Sequence, residues 1–453
     1  MRRPFMKSAP SPAPSSAVLY AGAASADLTP PGSVFLHGYP HVPRYSTGVH
    51  DPLQCTALYL RSAGQSAIIL ANDLAVVAKA FSSDVRRRIS ERTGTPPEAI
   101  VVSCTHTHSG PVMADYVGAA RDSVVPKADP AYLRLAGDRM VEAAVAAANG
   151  ATPAEAGLAR AKPEGVGTNR HDPAGPADPD VPVLVLRSLR DHTPIACLIV
   201  YSMHPTVLHE DSTLITGDFP EFTRRYLRGR ALPPSCPILY HMGTAGDQSP
   251  RHVTRANTFA EAQRLGENLG RAIEAVIPQI AYRSDAALRC RHAVLDLALR
   301  KFPTVEQALA AQARVRARFD HLSATGAPRQ EVRTAECDWF GSEATTELAR
   351  AAADGRIARA LAGVMPAEIQ VIEVGPWKFA GWPGEYFVEY GLALKARSPD
   401  TFVIAMVNNT LQGYIVTEEA VAGNFYEANA ALFDHANGPR IVEATLALIR
   451  SGT

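Results

Sequence analysis

The chain has 453 residues, enough for two or three domains at roughly 150 residues each. Its 45 basic and 45 acidic side chains cancel, which argues against a nucleic-acid binder and against a polybasic membrane-surface protein. Apolar residues make up 46% and charged residues 20%, an ordinary globular balance that excludes extended disorder.

Residues 1–16 combine basic residues with a Pro/Ser/Ala stretch and lack the apolar core of a signal peptide, so they read as a flexible tail. A first strand is expected at Ala17-Val18-Leu19-Tyr20. Short β-branched runs then recur at 67–72, 99–104, 181–187, 195–202, 237–242, 369–374 and 401–407. Helical spacing lies between several of them, at about 78–92, 131–149, 219–229, 256–276 and 428–450. The alternation predicts an α/β fold of mixed, layered sheets flanked by helices. Residues 303–321 and 343–362 are rich in Ala, Arg and Glu, and predict a helical insertion at about 300–365. These Ala-rich helices could pack within the chain or across a homo-oligomer interface. No segment approaches the ~20 apolar residues that span a bilayer. The six cysteines are scattered without a C-x-x-C pair, which points to free thiols and a reduced cytoplasm.

Polar residues cluster just after strands. His106 and His108 follow the run at 99–104, His204 follows 195–202, and Asp247 and Ser249 follow 237–242. Glu385 lies in Gly381-Trp382-Pro383-Gly384-Glu385, and Tyr414 follows the run at 401–407. Sites in open α/β sheets form outside the carboxyl ends of strands, so these residues point to one crevice of an enzyme. In extended backbone His106 and His108 would face the same side. An isolated H-x-H is equally well explained by two hydrogen-bonded loop histidines. His204 and a strand-end Glu shift the reading toward zinc, which takes imidazole and carboxylate ligands and keeps an open position in catalytic sites.

An ordered set of motifs runs from about residue 18 to 435. It comprises Ala26-Asp27-Leu28-Thr29-Pro30, His37-Gly38-Tyr39, Ser103-Cys104-Thr105-His106-Thr107-His108-Ser109-Gly110-Pro111 and Thr168-Asn169-Arg170. Thr216-Gly217-Asp218, Gly246-Asp247-Gln248-Ser249-Pro250, Pro383-Gly384-Glu385, Gly413-Tyr414-Ile415-Val416-Thr417 and Tyr426-Glu427 follow. In this order the chain resembles the neutral ceramidase family, the zinc-dependent amidases that cleave the N-acyl bond of ceramide.

The resemblance implies one zinc per chain, held by His106, His204, Glu385 and Tyr414. It places His108 and Tyr426 at the substrate carbonyl, Arg170 on a polar part of the substrate, and Ser249 as a substrate contact. Asp27 and Asp247 become supports for these groups, or plain turn and cap aspartates. The implied reaction is hydrolysis of a C–N acyl bond by hydroxide generated on the metal, with His108 the first candidate to protonate the leaving amine. It further implies a single catalytic domain over 17–453 without the immunoglobulin-like C-terminal domain of the long members. Val112-Met113-Ala114-Asp115 replace the family's glycines at the pocket mouth. The substrate expected is a small N-acyl amide or lipid-like molecule. Phe35, Trp339, Phe340, Trp382 and Phe425 could line an acyl channel or simply be core. Two rival readings are a serine esterase or amidase using Ser249, weakened by the missing G-x-S-x-G elbow, and a non-catalytic ligand-binding module.

Overall fold

The computed structural model describes residues 18–451; the tail expected over 1–16 lies outside the described residues. Eight strands form the larger sheet. They are β1 (Leu19–Asp27), β2 (Gln54–Ser62), β3 (Gln65–Asn72), β4 (Ile100–Cys104), β5 (Thr152–Ala161), β6 (Val181–Ser188), β7 (Pro194–Tyr201) and β8 (Ile238–Met242). Their order is β8-β7-β6-β5-β1-β2-β3-β4. The interior pairs are antiparallel, and the two outermost pairs, β7/β8 and β3/β4, are parallel. A second sheet runs β9 (Leu288–Leu295), β10 (Ala367–Val374), β11 (Trp377–Gly381) and β12 (Thr401–Ile404), with β11/β12 parallel.

Both faces of these strands are covered, so they read as near-continuous apolar runs. Along β3, Ile68 and Leu70 face helices α1 (Lys79–Thr93) and α2 (Pro130–Asn149), while Ala67, Ile69 and Ala71 face the other way. That inner face packs on Ile372, Val374, Phe379, Phe402 and Ile404 of the second sheet. Each fully buried Ile, Leu or Phe there contributes about 1.5–3 kcal/mol. Beside β6–β8 the outer face carries α3 (Phe219–Leu227) and α4 (Phe259–Val276). The far side of the second sheet is covered by α6 (Arg329–Ala353), α7 (Arg356–Val364), α8 (Val388–Arg397) and a last helix over Asn437–Arg450. The layers run helix, sheet, sheet, helix, as the sequence predicts.

The larger sheet coils until its edge strands meet: Ser103 Oγ of β4 lies 2.6 Å from His241 Nδ1 of β8. The segment after β12 joins them further. Ala405 N donates to Met242 O (2.9 Å), and Asn408 exchanges two hydrogen bonds with the backbone of Val102. The carboxyl ends of β4, β7, β8 and β12 are thereby drawn to one place.

Local differences from the sequence reading have physical causes. The run expected to Val407 ends at Ile404, because Met406 and Asn408 take left-handed φ of 56° and 60°. The helix expected over 428–450 is two, Tyr426–Ala430 and Asn437–Arg450, because the intervening chain pairs with 298–300: Arg300 N donates to Leu432 O and Asp434 N to Ala298 O. The helical segment at about 300–365 comprises α5 (Val305–Thr325), α6 and α7, and the Leu348 face of α6 packs within the chain. All six cysteines are free. Among the described residues no helix is long and apolar enough to cross a membrane.

Candidate metal centre

His106 enters the site through strain. Its φ is +69°, a region costly for a residue with a Cβ, and it is held there by His106 N donating to Leu74 O (2.9 Å). Its Nδ1 lies 2.6 Å from Ala75 O, so Nδ1–H donates outward and Nε2 faces inward. His204 repeats the device, with Nδ1 3.0 Å from Gln248 O. Glu385 arrives on the far side of Gly384 (φ +77°), and its Oε2 lies 3.0 Å from His204 Nε2 and 3.4 Å from His106 Nε2. Glu385 and Tyr414 are direct partners in a two-residue parallel bridge, Glu385–Tyr386 with Tyr414–Ile415.

His108 Nε2 lies 3.3 Å from His106 Nε2, so the two imidazoles converge. They do so through the turn at His106 and not through the extended alternation the spacing suggests. The His108 ring rests on Gly38, where an added Cβ would come within 2.5 Å of it at φ +113°, so only glycine fits. Arg44, wholly buried, donates to His108 O (2.8 Å), His37 O (3.3 Å) and Ser212 O (3.0 Å), clamping three loops behind the histidines.

Donor atoms of His106, His108 and His204 all lie within 4.8 Å of one another. Burial opposes charge on His106, but Glu385 outweighs it and raises the imidazole pKa. Burial would push Glu385 up, yet His106 and then His204 hold it well below the carboxylate range. His204 is lowered chiefly by burial, and His108 well below the usual value by burial and then by His106 and His204. Two backbone-fixed imidazoles and a carboxylate aim lone pairs at one point, and His108 Nδ1 is buried without a partner. Such a donor set fits a divalent metal of the zinc type.

Around it, Arg170 Nε donates to Glu427 Oε1 (2.6 Å) and Nη2 to Gly246 O (2.5 Å), so both nitrogens are engaged within the protein. The Arg170 guanidinium carbon lies 5.7 Å from the Tyr414 ring centre and 5.9 Å from that of Tyr426. The two phenol rings meet edge to face at 5.8 Å, and burial pushes both hydroxyls well up. Asp247 accepts from Val388 N (2.9 Å) and Asn169 Nδ2 (2.7 Å), a support for the loop; burial and then Glu389 push its carboxyl up to about 7. Asp27 is exposed and accepts from Thr29 N (2.7 Å), the plain turn aspartate. Ser249 Oγ accepts from Arg251 N (3.3 Å) and makes no hydrogen bond to a histidine among the described residues.

Sequence reasoning gave no role to Glu427, Arg44 or Arg251. Glu427 is fully buried, and His171 Nε2 lies 2.8 Å from its second oxygen. Burial opposes its charge, but Arg170 and then His171 hold the carboxyl at about 2. Of the aromatic candidates, Trp382 and Phe35 are buried core, Phe425 stacks on His171 at 4.0 Å, and Trp339 and Phe340 of α6 pack on His41. Helix α6 also passes over Tyr426, where its Gly341 leaves no room for a Cβ against Tyr426 O.

The chain is thus a layered α/β protein with a buried histidine–carboxylate cluster, fit for a metal ion, at its strand ends. Its fold is that of the neutral ceramidases. It matches the crystal structure of neutral ceramidase from Pseudomonas aeruginosa with a TM-score of 0.74, 17% identity, and coverage of 95% of this chain and 74% of that one. A ceramidase complexed with C2 matches with a TM-score of 0.71, 16% identity, and coverage of 94% and 74%. No protein-family model matches the chain, and no curated protein matches it by sequence.

Proposed function

We propose that the chain is a zinc-dependent hydrolase of C–N acyl bonds, a ceramidase-like N-acyl amide hydrolase. The observation that carries this reading is the convergence of His106 Nε2, His204 Nε2 and Glu385 Oε2, with each histidine's other nitrogen tied to a backbone carbonyl. The neutral ceramidase fold adds support. His106, His204, Glu385 and Tyr414 would hold one zinc, and a bound zinc supplies Lewis-acid polarisation of the acyl carbonyl and activation of water.

The chain's own residues do the rest. Tyr426, its phenol kept protonated by burial, donates to the oxygen of the acyl carbonyl as charge develops there. Neutral His108 would take the proton that the attacking water loses and deliver it to the departing amine nitrogen. Arg170, pinned by Glu427, fixes the faces of Tyr414 and Tyr426, and Ser249 contacts the substrate. Residues 17–453 would act as one catalytic domain, with the helices of 300–365 as an insertion over the site. Six free thiols favour a reducing compartment such as the cytoplasm. The substrate class is a small or lipid-like N-acyl amide.

The test is zinc content of the wild type beside a His106→Ala/His204→Ala double variant, with a screen of N-acyl amides. About one zinc per chain and amide cleavage in the first, and neither in the second, is the expected result. A wild type that takes up no zinc when it is supplied would overturn the reading.

A further inference from the structure

We propose that the amide substrate of this centre carries a carboxylate, held by Arg251; the proposal rests on the hydrolase reading above. Arg251 lies three residues beyond Gln248, the residue whose carbonyl fixes His204, in the short turn Pro250–His252. Its half-buried guanidinium reaches across to α6. Nη1 lies 3.3 Å from Thr334 Oγ1 and 3.5 Å from Arg170 O, and Nη2 lies 3.4 Å from Cys337 Sγ. The two oxygen partners are uncharged, and their contacts are long against the usual 2.7–3.2 Å of an N–H···O bond.

Desolvated charges are ordinarily paired. Arg170 and Arg333 obey that rule, Arg170 with Glu427 at 2.5 Å and Arg333 with Glu336 at 2.6 Å and Glu210 at 3.0 Å. Arg44 and Arg300 have no ion pair but donate to the carbonyls of His108 (2.8 Å) and Asn429 (2.8 Å). Asp338, one residue beyond Cys337, is taken by Arg318 at 3.1 Å. Arg251 makes no ion pair among the described residues and, unlike Arg44 and Arg300, its guanidinium has no hydrogen bond shorter than 3.3 Å. Exposed Arg329, on the same side, adds to the positive charge. Half-buried His209 lies in the field of these cations: burial, then Arg333, Arg329 and, least, Arg251 lower its imidazole pKa to about 3.

The guanidinium is therefore held in place with no carboxylate in direct contact; Asp338, paired with Arg318, acts on it only from further away. Its planar fork matches a carboxylate. One half-buried positive charge suits a monoanion, whereas a phosphate monoester brings nearly two negative charges. Because Arg170, whose carbonyl Arg251 contacts, lies over the Tyr414 and Tyr426 rings, a carboxylate on Arg251 would sit beside the substrate's amide.

The experiment uses two ligand pairs that differ only in carboxylate against carboxamide. N-decanoylglycine and N-decanoylglycinamide place the group on the amine arm; N-butylsuccinamic acid and N-butylsuccinamide place it on the acyl arm. Binding to chelator-treated wild type, Arg251→Gln and Arg251→Lys is measured by calorimetry, with circular dichroism as the check on folding. Wild type should bind the acid of one pair about ten- to a hundredfold more tightly than its carboxamide. In Arg251→Gln that ratio should fall to about one, with part of it restored in Arg251→Lys. Equal affinities in both pairs, an acid preference that survives Arg251→Gln, or competition by inorganic phosphate stronger than by acetate would each overturn the proposal. Hydrolysis by the zinc-loaded protein separates the two readings. Cleavage of the carboxamides without acid preference defeats the Arg251 site alone. Acid-selective binding with no cleavage of any amide defeats the hydrolase reading alone.

Discussion

Glu427 is the buried counter-charge shared by Arg170 and His171 beside the centre, and Glu427→Gln isolates its charge while keeping its shape. In the folded chain the carboxyl is held at about 2 against an ordinary 4.5, because Arg170 and His171 outweigh the opposing effect of burial. That displacement is worth about 3 kcal/mol of folding stability. Removing one partner of a buried ion pair independently costs about 3–5 kcal/mol. A depressed carboxyl stabilises fully above its unfolded value and loses the contribution as pH falls from 4.5 toward 2. Urea unfolding followed by tryptophan fluorescence should therefore separate wild type and Glu427→Gln by about 3 kcal/mol at pH 7. At pH 3, where the carboxyl is almost fully protonated in the unfolded chain and still largely ionised in the folded one, the gap should shrink to about two fifths. A gap under about 1 kcal/mol at pH 7, or one unchanged between the two pH values, would refute the account of Glu427 as the counter-charge of Arg170.

Two further substitutions separate metal holding from substrate handling. Tyr426→Phe should retain one zinc per chain by metal analysis and lose about 10²–10³ in kcat, the usual cost of an oxyanion donor; loss of zinc would show that the phenol holds the metal. His108→Ala should likewise keep its zinc while losing about 10²–10⁴ in rate. Metal loss in that variant would move His108 into the ligand set, where its 3.3 Å approach to His106 also allows it to stand.

What the sequence made legible was mostly what local chemistry announces. β-branched runs such as Val181–Ser188 stand out, whereas β5, with Ala154, Ala156, Gly157, Ala159 and Ala161 among its ten residues, hides as a strand because its stability comes from neighbours on both sides. The start of α6 at Arg329 escaped notice because Cys337, Trp339, Phe340 and Gly341 interrupt its Ala-rich character. At the site, the position of His106, His204, Glu385 and Tyr414 just past strand ends brought them under suspicion together, and the structure gathers them. The pairing of Glu427 with Arg170, 257 residues apart, and the grip of Arg44 on Ser212, 168 apart, leave no local trace. Nor does sequence show that the Ser249 hydroxyl accepts from Arg251 N and caps the turn that carries Arg251.

The meeting of β4 and β8 has a consequence for life in a crowded solution. A sheet with loose borders offers rows of unpaired amides and carbonyls on which another chain can add a strand, the first step toward aggregates. Here both border strands are only five residues long, and they lean on each other through Ser103 and His241. Val102 on one and Met242 on the other have already been claimed by the stretch from Ala405 to Asn408. The same few residues that carry the chain toward Tyr414 thus leave little border open to strangers, so protection from self-association and the making of the site are one piece of architecture.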